Sequence, residues 1–173
     1  MDCCESVSNL SNQYDAIIEL SDKACIVRNN KKFGIVYMDG KIAVPVTNTE
    51  FTVSDDIVIM TDCINGTSSI FSKACNKYVN MSEMYRIQTI TDGVVVLREI
   101  RTSNGRAKTA IYCIENMQGI LEPSVVTFIK INPNKDYIAV FELFNSGYKV
   151  DNILYVINHK FELGVIGANE IED

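Results

Sequence analysis

Apolar positions along this chain come in short runs, each closed after five to ten residues by a cluster of turn-forming side chains. Ala16-Ile17-Ile18-Glu19-Leu20 gives way to Ser21-Asp22-Lys23, and Ala24-Cys25-Ile26-Val27-Arg28 to Asn29-Asn30-Lys31-Lys32. Phe33-Gly34-Ile35-Val36-Tyr37 follows. Asp39-Gly40 then carries the signature of a two-residue type I′ hairpin, whose central positions both need positive φ. Lys41-Ile42-Ala43-Val44 runs to Pro45, which has no N–H to donate and is expected to stop ladder pairing. Runs of this length, rich in β-branched and aromatic residues, predict strands. Four fall within about thirty residues.

The same order recurs downstream. A second copy reads Phe51-Thr52-Val53, Ile57 to Met60, an Asn65-Gly66 hairpin, Ser68 to Phe71 and Lys77 to Val79. A third runs from Tyr85 through Asp92-Gly93, Val94 to Leu97, a Ser103-Asn104-Gly105 hairpin, Ala110 to Cys113, and Gly119 to Leu121. The fourth holds Val125 to Ile131, Tyr137 to Leu143, Ile153 to Ile157 and Phe161 to Leu163. Anchored on Ile26, Val58, Val95 and Ala139, the second strands recur at 32, 37 and 44 residues. Spacings of 20–50 residues are the mark of solenoids, propellers and stacked arrays. Sustained helical periodicity is absent; the candidates are Asp2 to Gln13, Ala168 to Asp173, and one turn within Asn76 to Glu83.

The expectation is an all-β chain, residues 1–173 forming a single domain. It holds about four units of four short antiparallel strands, near 14–45, 50–80, 84–122 and 125–163. The arrangement is β-propeller-like, or alternatively an extended or barrel-like meander. Lys31-Lys32-Phe33-Gly34-Ile35-Val36-Tyr37-Met38-Asp39-Gly40-Lys41-Ile42-Ala43-Val44-Pro45 resembles a WG repeat. Such repeats follow an aromatic-Gly step with a turn-Gly, a Lys, an aliphatic run and a Pro. Tyr14-Asp15 and Ala24 to Val27 look like the opening of the same unit, with Phe33 in place of the usual Trp or Tyr. The resemblance covers less than a fifth of the chain and implies a β-repeat used for binding rather than catalysis.

Composition narrows the partners. The 173 residues carry a net charge of −6, with 47% hydrophobic and 22% charged side chains. That is globular rather than disordered composition. Bulk nucleic-acid binding is not expected of so acidic a chain, because phosphate contacts need a concentrated Lys/Arg footprint. Cys3, Cys4, Cys25, Cys63, Cys75 and Cys113 come without a secretory leader or a membrane-length apolar run. Reduced thiols and a cytoplasmic location are therefore expected.

Candidate chemistry is sparse. His159 is the only histidine, and it falls in a turn, so every Ser/His/Asp or Cys/His nucleophile arrangement would have to pass through it. No Walker loop, dinucleotide fingerprint, nucleophile elbow or Cys-x-x-Cys pair occurs. Asp55-Asp56 and Glu172-Asp173 read as turn and tail carboxylates. The expectation is no enzyme, no catalytic residue, no metal and no cofactor.

One asymmetry remains. The hairpins between second and third strands are basic in the first copy (Arg28, Lys31, Lys32) and in the third (Arg98, Arg101, Arg106, Lys108), with Lys149 near that of the fourth. The other turns carry Asp22, Asp39, Asp55, Asp56, Asp92, Glu115 and Asp136. In an up-and-down unit the two sets emerge at opposite ends. Three readings follow. The chain is a scaffold presenting hairpin loops to a protein partner, or a binder of a phosphorylated small ligand or nucleic-acid segment on the basic hairpins. The third is an acidic phage or bacterial inhibitor that mimics nucleic acid. Long exposed hairpins also carry Lys and Arg simply for solubility and to discourage edge pairing.

Overall fold

The computed structural model describes residues 10–100, 105–132, 136–145 and 148–167. Among them run fifteen strands: β1 (Ala16–Glu19), β2 (Ala24–Asn29), β3 (Lys32–Tyr37), β4 (Ile42–Asn48), β5 (Glu50–Ser54), β6 (Ile57–Asp62), β7 (Thr67–Ser72) and β8 (Lys77–Met81). Then come β9 (Tyr85–Thr91), β10 (Val94–Glu99), β11 (Thr109–Cys113), β12 (Gly119–Ile131), β13 (Tyr137–Asn145), β14 (Tyr148–Asn158) and β15 (Leu163–Gly167). The chain is all-β and built of antiparallel meanders, as the alternation of apolar runs and turns predicts. They form three sheets, ordered β1-β2-β3-β4, β5-β6-β7-β8 and β15-β14-β13-β12-β11-β10-β9. The chain divides into two compact units, Met1–Tyr85 with Glu115–Met117, and Arg86–Ile114 with Gln118–Asp173.

In the first unit the two four-stranded sheets share a core. Ile26, Ile35 and Val44 of one meet Val58, Met60 and Phe71 of the other. Phe33 and Phe51 lie edge to face at 4.9 Å between ring centroids. Full burial of one such side chain contributes roughly 1.5–3 kcal/mol. At the turn end, Asn76 fastens the sheets together: its Oδ1 accepts from Ser21 Oγ (2.7 Å) and its carbonyl from Tyr37 OH (2.8 Å). All six residues of β6 are buried, so that strand is covered on both faces. This explains why its first four residues, Ile57 to Met60, are all apolar instead of alternating.

In the second unit seven strands run as one meander. β12 is its pivot, thirteen residues long, pairing β11 through Gly119 to Ser124 and β13 through Val125 to Ile131. Two strands expected from the sequence, at 119–121 and 125–131, are thus one. Pro123 does not separate them because the β11 register slips between Leu121 and Ser124, and a bulge tolerates a residue without N–H. A core of Val94, Val96, Ile111, Val126, Phe141 and Ile157 joins residues from both ends of the sheet. Phe161 reaches to where a Cβ on Gly93 would stand, at 3.0 Å, so the β9–β10 and β14–β15 turns meet and the sheet curls over on itself.

Several local expectations are corrected. The β3–β4 turn is not type I′: only Gly40 has positive φ (87°), and Gly40 N donates to Tyr37 O while Tyr37 N donates to Lys41 O. This is a three-residue loop with glycine in the left-handed position. The primed turns are instead Asn30-Lys31 (φ 49° and 62°) and Asp92-Gly93 (φ 43° and 78°). Pro45 does not end β4. The ladder skips from Ile35↔Val44 to Phe33↔Asn48 across a bulge, and Asn48 Nδ2 donates to the carbonyls of Phe33 (3.2 Å) and Pro45 (2.8 Å). The candidate helical turn within 76–83 is mostly β8, and Phe161 belongs to a turn (φ 63°), not to the last strand. Of the N-terminal helix candidate, residues 10–13 are described: 10 and 11 are helical and 12 and 13 turn, with Gln13 N and Tyr14 N donating to Leu10 O. The C-terminal candidate, 168–173, lies outside the described residues.

Candidate functional site

Antiparallel pairing puts alternate turns at opposite ends of a sheet, so the expected split of charge can be followed within each unit. At one end of the first sheet the acidic turns come together around a shallow cavity of 280 Å³ lined by Asp22, Lys23, Tyr37, Met38 and Asp39. Met38 N donates to Lys23 O, and Asp39 is paired with Lys41 at 2.9 Å. At the other end lies the basic β2–β3 hairpin, with Arg28 and Lys31 exposed and Lys32 half-buried. Carboxylates intervene there. Asp15 Oδ2 accepts the N–H of Asn30 and so closes the turn. Asp62 is held below the usual carboxylate range, first by the Asn65 side-chain amide, then by the N–H groups of Asn65 and Ile64, and last by the charge of Lys32. The first basic hairpin is therefore laced with acid and is a poor anion site.

The β10–β11 hairpin differs. Its base is held by Glu99, whose N–H donates to Lys108 O and whose Oε2 accepts from Lys108 N, both at 2.9 Å. Arg106 lies exposed with its guanidinium 4.5 Å from the centre of the Phe144 ring. Arg98 Nη1 donates to Thr109 Oγ1 across the strand pair at 3.0 Å. Arg101 lies outside the described residues, as does the side chain of Lys149.

Arg98 also lines an open groove of 620 Å³ together with Arg86, Ile87 and Gln88 of β9 and Val126, Thr127 and Phe128 of β12. Two strands, β10 and β11, stand between β9 and β12 in the sheet order, so only the curl of the sheet brings their residues to one groove. Arg86 and Gln88 are exposed, Arg98 and Phe128 half-buried, and Val126 buried. The arrangement brings two arginines to one predominantly polar groove that Ile87, Val126 and Phe128 also line. Each guanidinium carries five N–H donors in a planar fork suited to carboxylate or phosphate, and the Thr109 contact uses one of those on Arg98. Nothing in the sequence singles out Arg86, because it stands at the start of the first strand of its copy and lies far from any second-to-third-strand hairpin.

The remaining chemistry stays scattered. His159 is exposed in the turn closed by Asn158, whose Oδ1 accepts from Lys160 N and Glu162 N. Cys25 and Cys113 are buried, and burial, then Glu19, pushes the Cys25 thiol up. Asp55 and Asp56 form the β5–β6 turn, with Asp56 O accepting from Lys73 N. Among the described residues no three His, Cys, Asp or Glu side chains gather as a metal site, and no helix is long and apolar enough to cross a membrane. No protein-family model matches this chain, and neither does any curated protein.

Proposed function

We propose that this protein is a binding protein rather than a catalyst, and that the second unit's groove takes the anionic group of its ligand. The observation that carries this reading is the convergence of Arg86 and Arg98 on one 620 Å³ groove with Ile87, Val126 and Phe128 beside them. A groove of that size accommodates a small molecule, and its open, predominantly polar lining suits a charged one. Two guanidiniums select phosphate or carboxylate by bidentate contact. Arg106, over the Phe144 ring, adds positive charge on the β10–β11 hairpin that carries Arg98. The WG-repeat likeness of residues 14–45 belongs to the same proposal, since such repeats serve binding; the bulge at Pro45 pressed against Gly34 supports it.

The test is a thermal-shift panel of nucleotides, sugar phosphates and dicarboxylates, repeated on Arg86→Glu/Arg98→Glu. An authentic ligand raises the melting temperature of the wild type, loses that effect in the double variant, and binds more weakly as salt rises. No stabilisation by any anion, or equal stabilisation of the variant, sinks the reading.

A protein partner met at hairpin loops is the second reading. It is favoured by Ile64 and Ile100, 75% and 49% exposed in the second-to-third-strand connections of the second and third copies. Ile64→Ser/Ile100→Ser should then abolish capture of the partner while leaving anion binding intact.

A further inference from the structure

Six strands end the three sheets, and five are protected against pairing with another chain. β1 has four residues and ends on exposed Glu19; β4 carries Pro45 and a bulge; β5 opens on exposed Glu50. β8 begins with exposed Lys77, and β9 presents Arg86 and Gln88. Short length, charge, proline and bulges are the usual means by which a free strand edge is kept from recruiting another strand. β15, Leu163-Gly164-Val165-Ile166-Gly167, has none of them beyond its modest length. It closes the seven-stranded order, so among the described residues no strand lies beside its outer side in that sheet. Leu163 is 43% exposed and Val165 62%.

We propose that β15 is a self-association edge, pairing antiparallel with β15 of a second copy about a two-fold axis through Val165. The occupant follows from the order of side chains. That axis sets Val165 opposite Val165, Leu163 opposite Gly167, and Gly164 opposite Ile166. Every bulky side chain other than the central valine faces a glycine, and no like charges are opposed. A two-fold contact must be self-complementary in this way, and directly opposed side chains decide the energy of a strand pair. Five residues bury little area, so the dimer is weak and concentration-dependent. Each copy carries −6, so salt strengthens it.

Sedimentation equilibrium of the full chain at about 0.5 M salt should show the mean mass rising from 19.4 kDa towards twice that value with concentration. Val165→Lys, at an exposed position that tolerates the change in the monomer, should hold the mass at 19.4 kDa. Wild type that stays monomeric to about 1 mM, or a variant that associates as the wild type does, overturns the proposal. So does a monomeric chain whose edge is occupied by a co-purifying peptide. Register is tested by Val165→Cys, which should oxidise to a covalent dimer much faster than Leu163→Cys, with wild type as the control for the native cysteines. Equal cross-linking of the two overturns the two-fold.

Discussion

Gly34 shows how much one hydrogen in place of a methyl can decide. A Cβ there would stand 2.6 Å from Val44 O and 2.9 Å from Pro45 C, both backbone atoms of the bulged neighbour strand. Gly34→Ala should therefore cost about 3 kcal/mol or more, read by chemical denaturation, because the bulge cannot yield without parting β3 from β4. The aromatic-Gly and Pro spacing was legible in the chain; that the two ends of the motif press on each other was not, since it depends on a bulge. Lys31 is the reverse case. It holds φ 62°, where a side chain costs energy and glycine does not. Lys31→Gly should stabilise by about 0.5–1 kcal/mol, after glycine's greater freedom in the unfolded chain is counted. Asp62 carries a pH prediction. Its folded-state acidity is strengthened, so the stability it contributes is present above its unfolded pKa of 3.8 and is lost as pH falls below that through the folded value. Asp62→Ala should lower stability near neutrality and flatten the acid limb of the profile in that window, so that variant and wild type converge as pH falls.

At the scale of strands and hairpins, periodicity located nearly every element, and errors cluster where backbone conformation departs from the commonest rule. Asp39-Gly40 and Asp92-Gly93 are the same dipeptide, yet only the second forms a type I′ turn, with both residues at positive φ. The strand register on either side selects the turn, and register is not written in two residues. The β10–β11 hairpin is where element and function meet. Arg106 over Phe144 ties it to β13, a contact worth roughly 0.5–1 kcal/mol at an exposed site. Arg106→Ala should speed amide exchange in residues 105–109 without altering exchange in β6 or β7. Equal protection in wild type and variant would show the ring contact to be idle. Arg98 was legible as a candidate from its hairpin; Arg86 was not, because the curl that brings β9 to β12 comes from core residues far from both.

For the whole chain, the governing fact is that each strand within a sheet pairs only with its neighbours in sequence. Ladders of this kind close short loops one after another, so the contacts are local for an all-β protein. Folding rate falls as contacting residues become more distant in sequence. Refolding monitored by stopped-flow Tyr fluorescence should therefore be faster than is usual for β-sandwiches, above roughly 10 s⁻¹ at 25 °C. A main phase slower than about 1 s⁻¹ would contradict it.

β12 gives the chain a seam that cannot be cut. Between the first and second sheets a single residue, Thr49, separates β4 from β5, and a loop inserted there would leave both ladders whole. At the corresponding place downstream, one strand serves two neighbours, and its last pairing with β11, at Ser124, adjoins its first with β13, at Val125. Any insertion near Pro123 injures both ladders together. The third and fourth copies can therefore no longer be duplicated, lost or exchanged one at a time; for gene rearrangement, and for anyone splicing the chain, they are a single heritable block.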